Sequence, residues 1–115
     1  MKRTIMTYGG YFERFIMTLT LNERRKIDYI LSLLETEDRL PVKFIKHIAQ
    51  GIYELRINVN GLAHRVFFIF DDDSIVILFN GFTKKSMKTP RYEIERAIRL
   101  KKEYYADKRS QNKEL

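Results

Sequence analysis

The segment from Ile52 to Phe70 leaves this chain the fewest options. From Ile52 to Val59 the residues alternate. Tyr53, Leu55, Ile57 and Val59 point one way; Ile52, Glu54, Arg56 and Asn58 point the other. Asn60-Gly61 follows, a strong signal for a tight hairpin turn. Leu62–Phe70 is then the returning strand, with Arg65 set among aromatic and branched residues. Asp71-Asp72-Asp73-Ser74 makes the next turn. Ile75–Phe79 is apolar throughout, which predicts a central strand covered on both faces. Asn80-Gly81 is predicted to end it.

The elements around this hairpin read as helices and one more strand. Arg3–Thr7 is a short predicted strand, interrupted by Gly9-Gly10. Phe12, Phe15, Ile16 and Leu19 follow at helical spacing from Tyr11. Thr20 and Glu23 form a capping box, in which each side chain satisfies a free backbone N–H of the other. The helix it opens runs to about Thr36, with Ile27, Ile30, Leu31 and Leu34 on one stripe. Pro41 is expected to open a short helical turn through Phe44, Ile45 and Ile48, with His47 on its surface. Lys84–Thr89 is a polar connection. Pro90 then starts a last helix whose inner stripe is Ile94, Ala97, Ile98 and Lys101 or Tyr105. The order β-α-α-β-β-β-α makes the fold α+β: two N-terminal helices on one face of a small antiparallel sheet, with a C-terminal helix.

At 115 residues the chain fits one domain, here residues 1–106, followed by a polar tail over residues 107–115 expected to fray. A hydrophobic content of 44% is too high for disorder. Cysteine is absent and only two histidines are present, which excludes a disulfide framework, a zinc knuckle and a cysteine nucleophile, and argues against a His-rich metal site. No apolar stretch approaches a membrane span, and no apolar block of signal-peptide length follows the start, so the expected location is cytoplasmic.

Charge is distributed unevenly. The first 83 residues carry 11 cations and 10 acids, whereas residues 84–115 carry 11 and 5. Such asymmetry points to an anionic partner, nucleic acid or acidic protein, or to a solvated basic helix. Within the hairpin, pairing around Asn60-Gly61 puts Arg56 directly opposite Arg65, with Glu54 beside them on the same face. Lys84 and Lys85 arrive at the end of the third hairpin strand. Two like charges side by side in a sheet repel. They are tolerated either because Glu54 compensates in a structural ion pair, or because the cluster exists to hold an anion such as a phosphodiester.

The run Gly51-Ile52-Tyr53-Glu54-Leu55-Arg56 resembles a signature of the RelE/HigB-like toxins of type II toxin–antitoxin systems. The resemblance continues through Arg65-Val66-Phe67-Phe68, through Gly81–Pro90, and through Glu93-Ile94 and Ala97, and covers about residues 3–105. It looks like the phage-associated HigB branch. It implies a RelE-like fold and an mRNA interferase that enters the ribosomal A site, cutting mRNA there without metal or cofactor. The ribose 2′-hydroxyl attacks its own phosphate. It also implies a cognate antitoxin, commonly a helix-turn-helix HigA-like protein, besides the ribosome and mRNA as partners.

That chemistry needs a base, cations for the charge gathered at phosphorus, and an acid. Arg56 and Arg65 are the natural charge stabilisers, and Lys84 or Lys85 an acid or a base. Glu54 matches a family carboxylate that can act as base, although flanking arginines weaken it and orienting Arg65 is an equal alternative. Lys88 and Arg91 are expected to bind RNA. Many relatives end in a His or Tyr used as general acid; this chain continues into a helix, and neither His47 nor His64 stands at that position. Two other functions stay open: a ParE-like toxin that inhibits DNA gyrase, and a non-catalytic basic RNA- or protein-binding module.

Overall fold

Both hairpin turns around the third strand need left-handed backbone, and the chain supplies it. Asn60 and Gly61 have φ of 50° and 79°, the positive pair that lets two strands fold back without splaying. A computed structural model describes residues 2–113. Its strands are β1 (Thr4–Thr7), β2 (Ile45–Ala49), β3 (Ile52–Val59), β4 (Leu62–Asp71) and β5 (Ile75–Lys84). Its helices are α1 (Tyr11–Ile16), α2 (Leu21–Thr36) and α3 (Arg91–Lys113). The sheet order is β1-β5-β4-β3-β2, antiparallel except that β1 runs parallel to β5.

The α+β architecture is as expected, and three local expectations are corrected. Pro41 opens only a single 3₁₀ turn, Val42–Phe44, and the chain then extends into β2 rather than staying helical to Ile48. Ile45 and Ile48 are β-branched, and β3 offers them a ladder. The β2–β3 turn is Gln50-Gly51, with φ of 52° and 78°. His47 is therefore an exposed strand residue beside Tyr53, not one on a helical turn. Second, β5 does not stop at Asn80-Gly81. A bulge opposite Val66–Phe68 absorbs the extra residue, and the strand continues to Lys84. Asn80 turns its amide into α3, donating to the Glu93 carbonyl and carboxylate at 3.1 and 2.9 Å. Third, the helix does not fray from Asp107 but runs to Lys113. Asp107 accepts from the Tyr8 hydroxyl, and Lys108 lies 2.7 Å from Asp71. Burial alone would raise Asp71, but bonds from Lys108 and Tyr104 outweigh it and hold its carboxyl below the usual range. Residues 114–115 of the expected tail lie outside the described residues.

The core has two layers, one on each face of the sheet. Ile27, Ile30 and Leu34 of α2 meet Leu55, Ile57, Val66, Phe68 and Leu78 on one face, beside Phe12 and Phe15 of α1. Ala97 and Leu100 of α3 cover Ile52, Phe67, Ile69, Ile77 and Phe79 on the other. β5 is thus covered on both faces, as its unbroken apolar run requires. Ile94, Ile98 and Tyr105 pack against this layer as expected, with Leu100 added, while Lys101, the alternative to Tyr105, turns its ammonium to the Gln50 carbonyl. Burying a side chain such as Phe67 or Leu55 contributes ~1.5–3 kcal/mol.

The capping box ties α2 to the sheet. Glu23 receives the Thr20 hydroxyl at 2.8 Å, and its other oxygen lies 2.5 Å from Nε2 of the buried His64. His64 Nδ1 meets the Thr83 hydroxyl at 2.8 Å. The Thr20 bonds first, and then His64, hold the Glu23 carboxyl below its ordinary value of 4.5. A carboxylate with a depressed pKa stabilises the fold above its ordinary value, and that stabilisation is lost as pH falls through the lower folded value. Glu23→Gln is therefore expected to be less stable than the parent at neutral pH and to converge on it in acid. Urea denaturation on both sides of pH 4.5 reads this directly. A gap that stays constant with pH would mean that the carboxylate charge is not what joins helix to sheet.

Candidate functional site

Strand periodicity fixes which side chains share the α3 face. On β3 these are Ile52, Glu54, Arg56 and Asn58; on β4 they are Arg65, Phe67 and Ile69. The observed register pairs Arg56 with Arg65 across the hairpin. Phe67 and Ile69 lie beneath α3, while Arg65, closer to the Asn60-Gly61 turn, lies where the core gives way to charge.

Arg65 is 4% exposed and Glu54 is 3% exposed, whereas Arg56 reaches outward. Oε1 of Glu54 lies 3.6 Å from Arg65 Nε and 3.9 Å from Arg56 Nε. Both distances exceed a hydrogen bond, so the carboxylate attracts both guanidiniums and bonds neither through these atoms. Its other oxygen accepts from the Thr89 hydroxyl at 3.3 Å. Arg65 Nη1 donates to Asn58 Oδ1 at 3.1 Å and to the His64 carbonyl at 2.8 Å. Its Nε is buried without a hydrogen-bond partner among the described residues. Burial pushes the Arg65 guanidinium down from its ordinary pKa and Arg56 adds to this, while Glu54 opposes both. A buried cation with an open donor, next to an exposed cation, is poised to accept an anion that brings its own oxygens.

The basic segment after β5 frames this cluster. Lys84 is the last residue of β5 and falls on the Arg65 face by register, two residues beyond Phe82. Its ammonium donates to the Met87 carbonyl at 2.9 Å, which shapes the connection. Lys85 and Lys88 are exposed, with no hydrogen bond or ion pair from their side chains among the described residues. Arg91 points outward at the start of α3, 3.7 Å from Glu95. Glu54, Arg56 and Arg65 thus meet directly, while Lys85, Lys88 and Arg91 stand along the segment that Thr89 fastens to Glu54.

Asn58 and Thr89 were not singled out from the sequence. The alternation already put Asn58 on the Arg56 face, and that signal was readable. Thr89 reaches Glu54 across 35 positions of chain, and nothing local announces it. Tyr53 lies on the opposite face against Phe68 and Phe70, and His64 is bonded behind the sheet. Tyr104 donates to Asp71 within the α3 packing, away from the arginine pair.

Among the described residues no group of three His, Asp or Glu side chains is placed to hold a metal ion. No helix among them is long and apolar enough to cross a membrane. A family model described as phage-derived protein Gp49-like matches residues 14–102, from α1 into α3. No curated protein matches the chain.

Proposed function

The chain belongs to the family of phage-derived Gp49-like proteins, relatives of the RelE/HigB-type toxins, and from that premise we propose that it is a ribosome-dependent mRNA endoribonuclease. The observation that carries this reading is the Arg56–Arg65 pair with its loosely held carboxylate. A structural ion pair would draw a buried carboxylate into hydrogen bonds with its arginines, because buried charges are stable only when closely paired. Here the distances stay long and one buried donor stays free.

In the proposed reaction the substrate phosphate takes the place of the missing partner. The ribose 2′-oxygen forms a bond to phosphorus as the bond from phosphorus to the 5′-oxygen breaks. The 2′ proton passes to Glu54. Arg56 and Arg65 hold the non-bridging oxygens as negative charge gathers on them. Lys84 or Lys85 protonates the departing 5′-oxygen. The products are a cyclic phosphate and a free 5′-hydroxyl. Lys88 and Arg91 extend the cationic surface along the message. The family also supports an antitoxin partner, and an acidic segment covering the arginine pair would match the site's charge.

Purified protein added to ribosomes programmed with a defined mRNA is expected to produce new 5′ ends within the A-site codon, read by primer extension. The same mRNA without ribosomes should remain intact. Folded protein that makes no cuts would overturn the reading in favour of a gyrase-type target or a binding module.

A further inference from the structure

β2 pairs with β3 only as far as Leu55. Beyond it, residues Arg56–Val59 keep β4 on one side and have an open edge on the other. α2 and the Val42–Phe44 turn close over that edge and leave a cavity of about 350 Å³. Its lining is Lys26, Lys43, Phe44, Arg56 and Asn58: three cations, one aromatic ring and one amide, with no acid. The Lys26 and Lys43 ammoniums lie 5.8 and 5.5 Å from the Phe44 ring centroid. Neither is within ion-pair distance of a carboxylate among the described residues. The cavity is continuous with the arginine pair, because Arg56 lines it and Asn58, on its wall, holds Arg65.

We infer that this pocket is a second phosphate subsite for the RNA strand, next to the phosphate held by Arg56 and Arg65. Lys26 and Lys43 grip the neighbouring phosphate, Arg56 stands between the two, and Phe44 offers its ring to the attached nucleoside. Cations for the backbone with an aromatic ring for the base is the combination that single-stranded nucleic acid uses. The inference rests on the endoribonuclease reading for the identity of the strand and adds the path the strand takes.

The test is fluorescence anisotropy with a short single-stranded oligonucleotide carrying 2′-O-methyl riboses, which cannot be cut, over a range of salt. The proteins are the parent, the double variant Lys26→Ala/Lys43→Ala, and Lys102→Ala as an exposed cation elsewhere on α3. Losing one phosphate contact flattens the plot of log affinity against log salt by about 0.7, or about eightfold in affinity at roughly 0.05 M relative to 1 M salt. The double variant should show that loss with an unchanged thermal midpoint, and Lys102→Ala should not. Equal slopes for parent and double variant, or no binding by the parent, would overturn the subsite. Displacement of the oligonucleotide by poly-glutamate with no change of slope would overturn it too, marking the pocket as a protein-docking site. Parent protein that shows the pocket-dependent slope yet leaves mRNA intact on ribosomes would sustain the subsite and sink the endoribonuclease reading alone.

Discussion

Arg65→Ala is expected to lower ribosome-dependent cleavage by about a hundredfold or more, the usual effect of removing one preorganised donor from a site where negative charge develops. Arg65 is the stronger of the two arginines for this purpose because it is already buried and fixed. Its Nη1 bonds to Asn58 and to the His64 carbonyl aim the guanidinium before any substrate arrives. The truncation also affects stability. Asn58 loses a donor and the buried Glu54 loses one of its two cations, each a change of about 1–3 kcal/mol at most sites of this kind. Circular dichroism and a thermal melt must therefore accompany the rate, and single-turnover rates should be compared only between folded proteins. Arg65→Lys separates charge from shape. It keeps a cation near Glu54 but loses the planar fork that meets two phosphate oxygens at once. Its cleavage is expected to stay far below the parent's. Full activity in Arg65→Lys would show that a point charge suffices. Full activity in folded Arg65→Ala would return the pair to an ion-pair role within the sheet.

The arginine pair is legible in the sequence because two local rules fix it together. Asn60-Gly61 sets the turn, and the two-residue period of a strand sets the face, so Arg56 has one possible neighbour on β4. The capping box and the Ile27/Ile30/Leu34 stripe were legible for the same reason: their partners lie within one or two helical turns. What escaped depends on contacts far apart in sequence. β2 is a strand because β3 pairs with it, and Gln50-Gly51 gives a weaker turn signal than Asn60-Gly61. α3 stays helical past Asp107 because Tyr8 and Asp71, from the far side of the chain, hold Asp107 and Lys108. Thr89 at the site and the Lys26–Lys43 pocket beside it belong to this second group. Nothing in the sequence marks Lys26, which is carried to Arg56 only by the packing of α2 on β3.

Gly81 belongs there as well, and it sets the second large effect. Read locally, Asn80-Gly81 is a turn that ends a strand. In the fold Gly81 pairs with Val66 in the middle of the ladder, and its missing side chain is the space that Phe15 fills. A Cβ at position 81 would stand 2.3 Å from Phe15 Cδ2 and 2.8 Å from Cγ. No contact so short survives, so the ring or the strand must move. The ring is hindered from yielding, because it also packs edge-on against His64, 5.7 Å away between centroids, and His64 is bonded to Glu23 and Thr83. Gly81→Ala is therefore expected to destabilise the fold by about 1–3 kcal/mol, and Gly81→Val by the upper end of that range or more, in urea denaturation. The loss should be strongly coupled to the ring. In the Phe15→Ala/Gly81→Ala double variant the new methyl group has room, so its measured effect should be much smaller than in the parent background. Additive losses would show that Gly81 is required for some reason other than Phe15. The same strain should reach the site, because the residue after Gly81 pairs with Arg65. If β5 shifts to relieve the clash, Arg65 moves with it, and folded Gly81→Ala should cut mRNA more slowly than its stability alone explains. If the ring yields instead, stability falls while the cleavage rate of the folded fraction stays at the parent value.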